Sequence, residues 1–345
     1  MIRPDFHFTP AIGWMNDPNG LVYDGRYYHL FFQNTPHAVL PDFLRMHWGH
    51  ARSRDLIHWE HLPIALEPDE LGSVFSGSAV MDGDEMVLIY TYHNSNGIES
   101  QAIARSVDPE HMRFKKFAAN PVIPNPGLKD FRDPKVFLRD EMGCWHMVLA
   151  STDRVRFFCS PNLLDWSEIG EYGAPDHPAE GLWECPDVIS LPLPDGGCKW
   201  VLIFSLGLHA SAGGGKTMYV IGDYREGKFI PDDPLARPVD FGPDFYAGVT
   251  FWGAPDERKI MIAWMNNWAY ADRTPAGAWR GQMSCPRELF LTQTRSGLRL
   301  GMRPVAPTDA IQRLSVNGDE LLIVSDRYSV ETFIPAQAIS FTKVF

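Results

Sequence analysis

An all-β fold built as a five-bladed β-propeller is predicted by three observations on this chain of 345 residues. Short apolar or alternating runs alternate with Gly, Pro, Asn and Asp turns, and almost no stretch carries the 3.6-residue period of an amphipathic helix. Proline (28) and glycine (29) are both frequent, as a fold with many tight turns requires. A weak repeat of blade size also runs along the chain.

Strand-sized apolar runs appear in order at Tyr27 to Phe32, Met86 to Tyr90, Met147 to Ala150, Trp200 to Phe204 and Ile260 to Trp264. Aromatic-plus-polar segments that open a strand recur at Asp17, Phe75, Asp133, Glu184 and Tyr246, at intervals of 58, 58, 51 and 62 residues. Five units of that size make five blades. A second series, beginning at Ser53, Ser106 and Ser160 with intervals of 53 and 54, is expected to form the outer turns. In a propeller the first strand of every blade lines the central channel, so residues remote in sequence meet at one mouth.

Composition excludes some functions. With 31 Lys and Arg against 43 Asp and Glu the net charge is −12, which repels phosphate backbones and anionic headgroups. Neither nucleic acid nor a membrane is an expected partner. Apolar runs stay far below the ~20 residues of a membrane span. The first seven residues carry no apolar signal core, and five cysteines without metal-type pairing fit a reducing compartment, so a cytoplasmic location is expected, with a secreted chain whose signal has been removed as the alternative.

Three segments put a carboxylate among rigid or aromatic neighbours: Trp14-Met15-Asn16-Asp17-Pro18-Asn19-Gly20, Phe131-Arg132-Asp133-Pro134 and Trp183-Glu184-Cys185-Pro186-Asp187. Singly, an Asp before Pro is an ordinary turn residue. Here all three occupy equivalent places in the repeat, where an apolar setting makes an unpartnered charge costly. Two facing carboxylates with a third beside them are the equipment for cleaving a glycosidic bond.

These segments resemble, in order and spacing, the nucleophile, Arg-Asp-Pro and Glu-Cys motifs of glycoside hydrolase family 32, the invertases, inulinases and levanases. The resemblance extends through His7-Phe8-Thr9-Pro10, His47-Trp48-Gly49-His50, Phe75-Ser76-Gly77-Ser78, Trp264-Met265-Asn266-Asn267-Trp268, Trp279-Arg280-Gly281 and Pro286-Arg287-Glu288-Leu289. It implies a five-bladed propeller and a retaining β-fructofuranosidase that releases terminal fructose from sucrose, inulin or levan without cofactor or metal. By the same resemblance Asp17 is the nucleophile, Glu184 the acid and then the base, and Asp133 the transition-state stabiliser, with Arg132 beside it. Asn16, Gln33, Ser76 and Tyr246 match polar positions around the fructose, and Trp48 and Phe75 match apolar walls. The nearer alternative is a fructosyltransferase, which differs only in the acceptor; the other is a catalytically silent, fructan-binding propeller.

The chain departs from the family after Gln33. A Trp bordering the sugar is common there, whereas Asn34 to Phe43 contains none, so the wall on that side is left open. The family also usually continues into a β-sandwich of roughly 100 residues, and only residues 301 to 345 follow the end of the last blade here. A propeller over 1–305 and a short, incomplete β-sandwich remnant over 306–345 are therefore expected, with an open edge that invites self-association.

Two further signals are declined. Ala210 to Thr217 satisfies a relaxed phosphate-loop pattern, but Met218-Tyr219-Val220-Ile221 reads as a strand where a phosphate loop opens a helix. It is taken as a hairpin loop. His47, His50, His58 and His61 have no Cys or carboxylate at ligand spacing and are not read as metal ligands.

Overall fold

The computed structural model describes residues 2–173, 181–193, 195–207 and 215–345. Five antiparallel sheets follow one another along the chain as blades: Gly13–Tyr23 to Trp59–Leu66, Ser73–Asp82 to Phe114–Lys116, Phe131–Arg139 to Ser167–Gly173, Trp183–Pro192 to Lys228–Pro231, and Tyr246–Thr250 to Gly297–Pro304. The first strand of each blade packs on the first strand of the next, and Tyr246–Thr250 returns to Gly13–Tyr23, which closes the ring. Trp279 and Arg280 strengthen the closure by pairing in parallel with Gly13 and Trp14. Among the described residues helix is limited to four 3₁₀ turns. No helix is long and apolar enough to cross a membrane.

The apolar runs read in the sequence are middle strands covered on both faces. Met86, Leu88 and Tyr90 point into the seam between blades 1 and 2, while Val87 and Ile89 point into the seam between blades 2 and 3. Val201 and Ile203 likewise face blade 5, with Leu202 and Phe204 facing blade 3. A blade buried on both sides needs apolar residues at every position, so alternation disappears. The Ser53, Ser106 and Ser160 series forms the turns between third and fourth strands. In two of them a buried residue at positive φ, Leu56 (68°) or Leu163 (65°), accepts a hydrogen bond from the indole of Trp59 or Trp166.

Every innermost strand carries a β-bulge near its N-terminal end. Asn16 and Asp17 share the place opposite Gln33, Ser76 is the extra residue of blade 2, and register shifts at Asp133-Pro134, Cys185-Pro186 and Ala247-Gly248 repeat the pattern. Bulges re-aim side chains. Asp133 (φ 62°), Cys185 (46°) and Ala247 (55°) take the left-handed conformation that this requires, a strained choice for residues other than glycine.

Residues after the fifth blade form one four-stranded antiparallel sheet, Ile311–Val316, Asp319–Asp326, Ser329–Ile334 and Ile339–Val344. Leu322, Val324 and Phe333 from this sheet complete the seam between blades 4 and 5. One edge is covered, since the Phe241 amide donates to the Ser340 carbonyl (2.9 Å). The other edge strand, Ile311–Val316, faces solvent.

Candidate active site

The bulges bring Asn16, Asp17, Gln33, Phe75, Ser76, Arg132, Asp133 and Glu184 to one open pocket of about 420 Å³. These residues come from four blades, and all but Gln33, which lies on the second strand of blade 1, sit near the N-terminal ends of the innermost strands. Cys185 ties the three carboxylates together. It follows Glu184 in the chain, its amide donates to Asp133 Oδ2 (2.8 Å), and its thiol contacts Asp17 Oδ2 (3.6 Å).

Each carboxyl has a different environment. Asp17 Oδ2 also accepts from the Ser76 hydroxyl (3.2 Å), while Oδ1 has no hydrogen-bond partner among the described residues. Burial, and then the negative charge of Glu184, push the Asp17 carboxyl up to about 6. For Asp133 burial again comes first; Arg132 opposes it, Glu184 adds to it, and the result is about 7. A chain of hydrogen bonds holds Asp133 in its strained place: its amide donates to Thr91 Oγ1 (2.9 Å), Thr91 to Gln101 (2.8 Å), and Gln101 to the Phe131 carbonyl (2.8 Å). Glu184 is oriented by two donors, Arg132 (3.1 Å to Oε1) and the Tyr246 hydroxyl (to Oε2). Arg132 is itself anchored by Glu99 (2.9 and 3.1 Å) and Asp130 (3.1 Å).

Two of the expected sugar contacts stand behind the wall. Trp48 is fully buried, and its indole donates to the Phe75 carbonyl (3.0 Å), so it fixes the backbone of a wall residue. Tyr246 is 1% exposed and touches the site through Glu184. Gly215 makes room for its ring, since a Cβ there would lie 2.2 Å from it. Both rings are large, and the seams between blades bury them. Asp187, in the same motif as Glu184, is also structural: it accepts from the Thr250 amide and hydroxyl (2.7 Å each) and pairs with Lys135 (3.2 Å).

The wall left open by the sequence is built by Phe43 and Trp268. Phe43, 47% exposed, lies 6.2 Å from the Phe75 ring and 6.1 Å from that of Trp268. His93, also in the pocket wall, stacks on Phe75 at 4.4 Å. Trp268 ends the motif Trp264-Met265-Asn266-Asn267-Trp268, so the sequence carries a signal for it. Phe43 and Glu99 have none, because neither belongs to a repeat position or motif. The glycine-rich segment 210–214 lies outside the described residues; Thr217 is in the strand Lys216–Arg225, as its neighbours suggested.

Both raised aspartates lower stability near neutrality. Between the unfolded value of 3.8 and the folded values of about 6 and 7 the folded chain holds protons that the unfolded chain has lost, so stability falls as pH rises through that window. Asp17→Asn is therefore expected to raise the melting temperature at about pH 7.5 and to leave it nearly unchanged at about pH 4. Scanning calorimetry at the two pH values checks this.

Residues 7–304 match the model of the glycosyl hydrolases family 32 N-terminal domain. The chain is 43% identical to a levanase of Bacillus subtilis over 95% of its own length and 50% of that relative. Among solved structures it resembles the exo-inulinase of Aspergillus awamori (TM-score 0.89, 29% identity, 99% of this chain and 92% of that one). It also resembles the fructofuranosidase of Schwanniomyces occidentalis complexed with fructose (TM-score 0.87, 26% identity, 99% and 92%). The chain thus spans about half the length of the curated levanase and nearly all of these two structures. Ring closure, bulge-borne carboxylates and the family match agree, and the chain belongs to glycoside hydrolase family 32.

Proposed function

We propose that this chain is a retaining β-fructofuranosidase that releases terminal fructose from β-fructofuranosides of the sucrose, inulin and levan type. The observation that carries the reading is the Cys185 bridge, which holds Asp17, Asp133 and Glu184 around one pocket. Asp17, with its unpartnered Oδ1, attacks C2 of the fructosyl unit and forms a covalent fructosyl-enzyme. Glu184 protonates the leaving oxygen, then takes a proton from the water that releases the sugar. Asp133 accepts from fructose hydroxyls, and Arg132 keeps the cluster of negative charges compatible.

The names of relatives and the fructose complex of a solved neighbour support a carbohydrate substrate. Asn16, Gln33 and Ser76 supply polar contacts, and Phe75 with Phe43 and Trp268 supplies the apolar side on which a sugar face packs. Turnover compared on sucrose, sucrose 6-phosphate, inulin and levan tests the reading: free fructose supports hydrolysis, oligomers support transfer, and unchanged substrates overturn it. Phe43→Ala is expected to raise KM on levan and inulin about tenfold with a smaller change in kcat, because a lost stacking wall weakens ground and transition states alike. Self-association through the solvent-facing strand Ile311–Val316 belongs to the same proposal, and light scattering measures it.

A further inference from the structure

At the opposite end of the blade 3 inner strand from Asp133, three metal-type side chains that the fructosidase chemistry does not use converge, and a fourth lies on the neighbouring strand. Asp140 and Cys144 belong to the turn after Phe131–Arg139, His146 lies on the second strand Trp145–Ser151, and Cys159 lies on the third strand directly opposite His146. The ligand atoms of Asp140, Cys144 and His146 all lie within 4.8 Å of one another, and His146 Nε2 is 3.1 Å from Asp140 Oδ2. Directly opposed residues of an antiparallel pair share one face of the sheet, so Cys159 lies beside His146 on the cluster's side.

We propose that Asp140, Cys144, His146 and Cys159 form a structural site for a tetrahedral thiophilic divalent cation, zinc in the first instance. Zinc takes thiolate, imidazole and carboxylate ligands at ~2.0–2.3 Å, which places the ligand atoms roughly 3.5 Å apart. The ligand atoms of Asp140, Cys144 and His146 need a contraction of about 1 Å to reach that, and Cys159 enters from the strand paired with His146 as the fourth ligand. Its outer partners are already in place. Asp140 Oδ1 accepts from the amides of Met142 (3.0 Å) and Cys144 (2.8 Å), which fixes the carboxylate and leaves Oδ2 toward the cluster. His146 Nδ1 is 2.9 Å from the Tyr224 hydroxyl of blade 4, a partner that orients the ring and aims Nε2 at the cluster. Binding displaces the two thiol protons to solvent, and the imidazole proton resides on Nδ1, where it donates to Tyr224.

A His–Asp pair beside two unrelated thiols is the simpler reading, and it predicts no binding. Exposure favours access: the Asp140 side chain is 32% exposed and that of His146 11%, so an ion can enter from solvent. The spacing 140, 144, 146 and 159 matches no standard Cys/His pattern, because strand pairing assembles the site. That explains why the sequence pointed to no metal.

The test uses the untagged, reduced chain freed of metal with a chelator and titrated with zinc or cobalt(II). One equivalent of ion is expected to bind, with a thiolate-to-cobalt charge-transfer band and a higher melting temperature. Cys144→Ser and Cys159→Ser should each weaken zinc binding at least ~10-fold and Tyr224→Phe by about 10-fold, the usual size of an outer-partner effect. In the unaltered chain zinc should slow alkylation of Cys144 and Cys159, a readout that needs no variant, while fructose release stays the same. Absence of the cobalt band in the reduced chain, or affinity that survives Cys144→Ser, overturns the proposal.

Discussion

Glu184→Ala is expected to lower kcat on sucrose by about 10²- to 10⁴-fold, the usual contribution of a positioned general acid and base. Asp17→Ala should fall at least as far, because no covalent route remains. The two losses differ in kind. An activated leaving group needs no proton in the first step, so Glu184→Ala should recover much of its rate on an aryl fructoside, and Asp17→Ala should not. Azide should then intercept the fructosyl-enzyme of Glu184→Ala as a β-configured fructosyl azide. An α product would mean inversion and would remove Asp17 from the nucleophile's place. The fold is expected to survive both changes, since Asp17 and Glu184 both line the open pocket and the apolar seams between blades are left intact.

How far the site could be read in advance depended on what makes each residue distinctive. Asp17, Asp133 and Glu184 stood out because the repeat put each at the same place in its blade, and the bulge that aims them is the physical content of that repeat. Middle strands such as Met86 to Tyr90 were legible because burial on both faces leaves an unbroken apolar run. Trp48 and Tyr246 were harder. A large aromatic beside a polar motif can face a sugar or fill a seam, and only packing decides which. Phe43 and Glu99 reach the site through loop geometry and an ion pair with Arg132, neither of which leaves a periodic trace. The blades themselves followed from period and turns, whereas the tie between the last sheet and blade 5 includes a buried polar network that leaves no trace in hydrophobic patterning.

That network carries the second large effect, which deletion of residues 306 to 345 exposes. Arg287 is fully buried and donates to Asp240 (2.7 Å), Glu331 (3.2 Å) and Thr342; His7 bonds Asp326 (2.8 Å) and lies 3.7 Å from Glu331. Removing the sheet leaves Arg287 with Asp240 as its remaining carboxylate partner and uncovers the seam filled by Leu322, Val324 and Phe333. Breaking a buried ion pair on one side costs about 3–5 kcal/mol. With lost apolar burial added, the melting temperature should drop by about 10 °C or more. Glu331→Ala isolates the charge contribution and should account for a large part of the drop. The pH dependence identifies the source. Burial alone would lower the His7 value, but Asp326 and Glu331 raise it to about 9 from 6.5, so its contribution is full below pH 6.5 and lost as pH climbs through about 9. Glu331, resisted by burial but held down by Arg287 and His7 to about 2 from 4.5, contributes above pH 4.5 and is lost as pH falls through about 2. The gap in melting temperature between the unaltered chain and His7→Gln should therefore be widest from about pH 4.5 to 6.5 and close by about pH 9. A deletion variant melting within about 2 °C of the unaltered chain at pH 6 would show that the sheet is idle and that blade 5 satisfies Arg287 by itself.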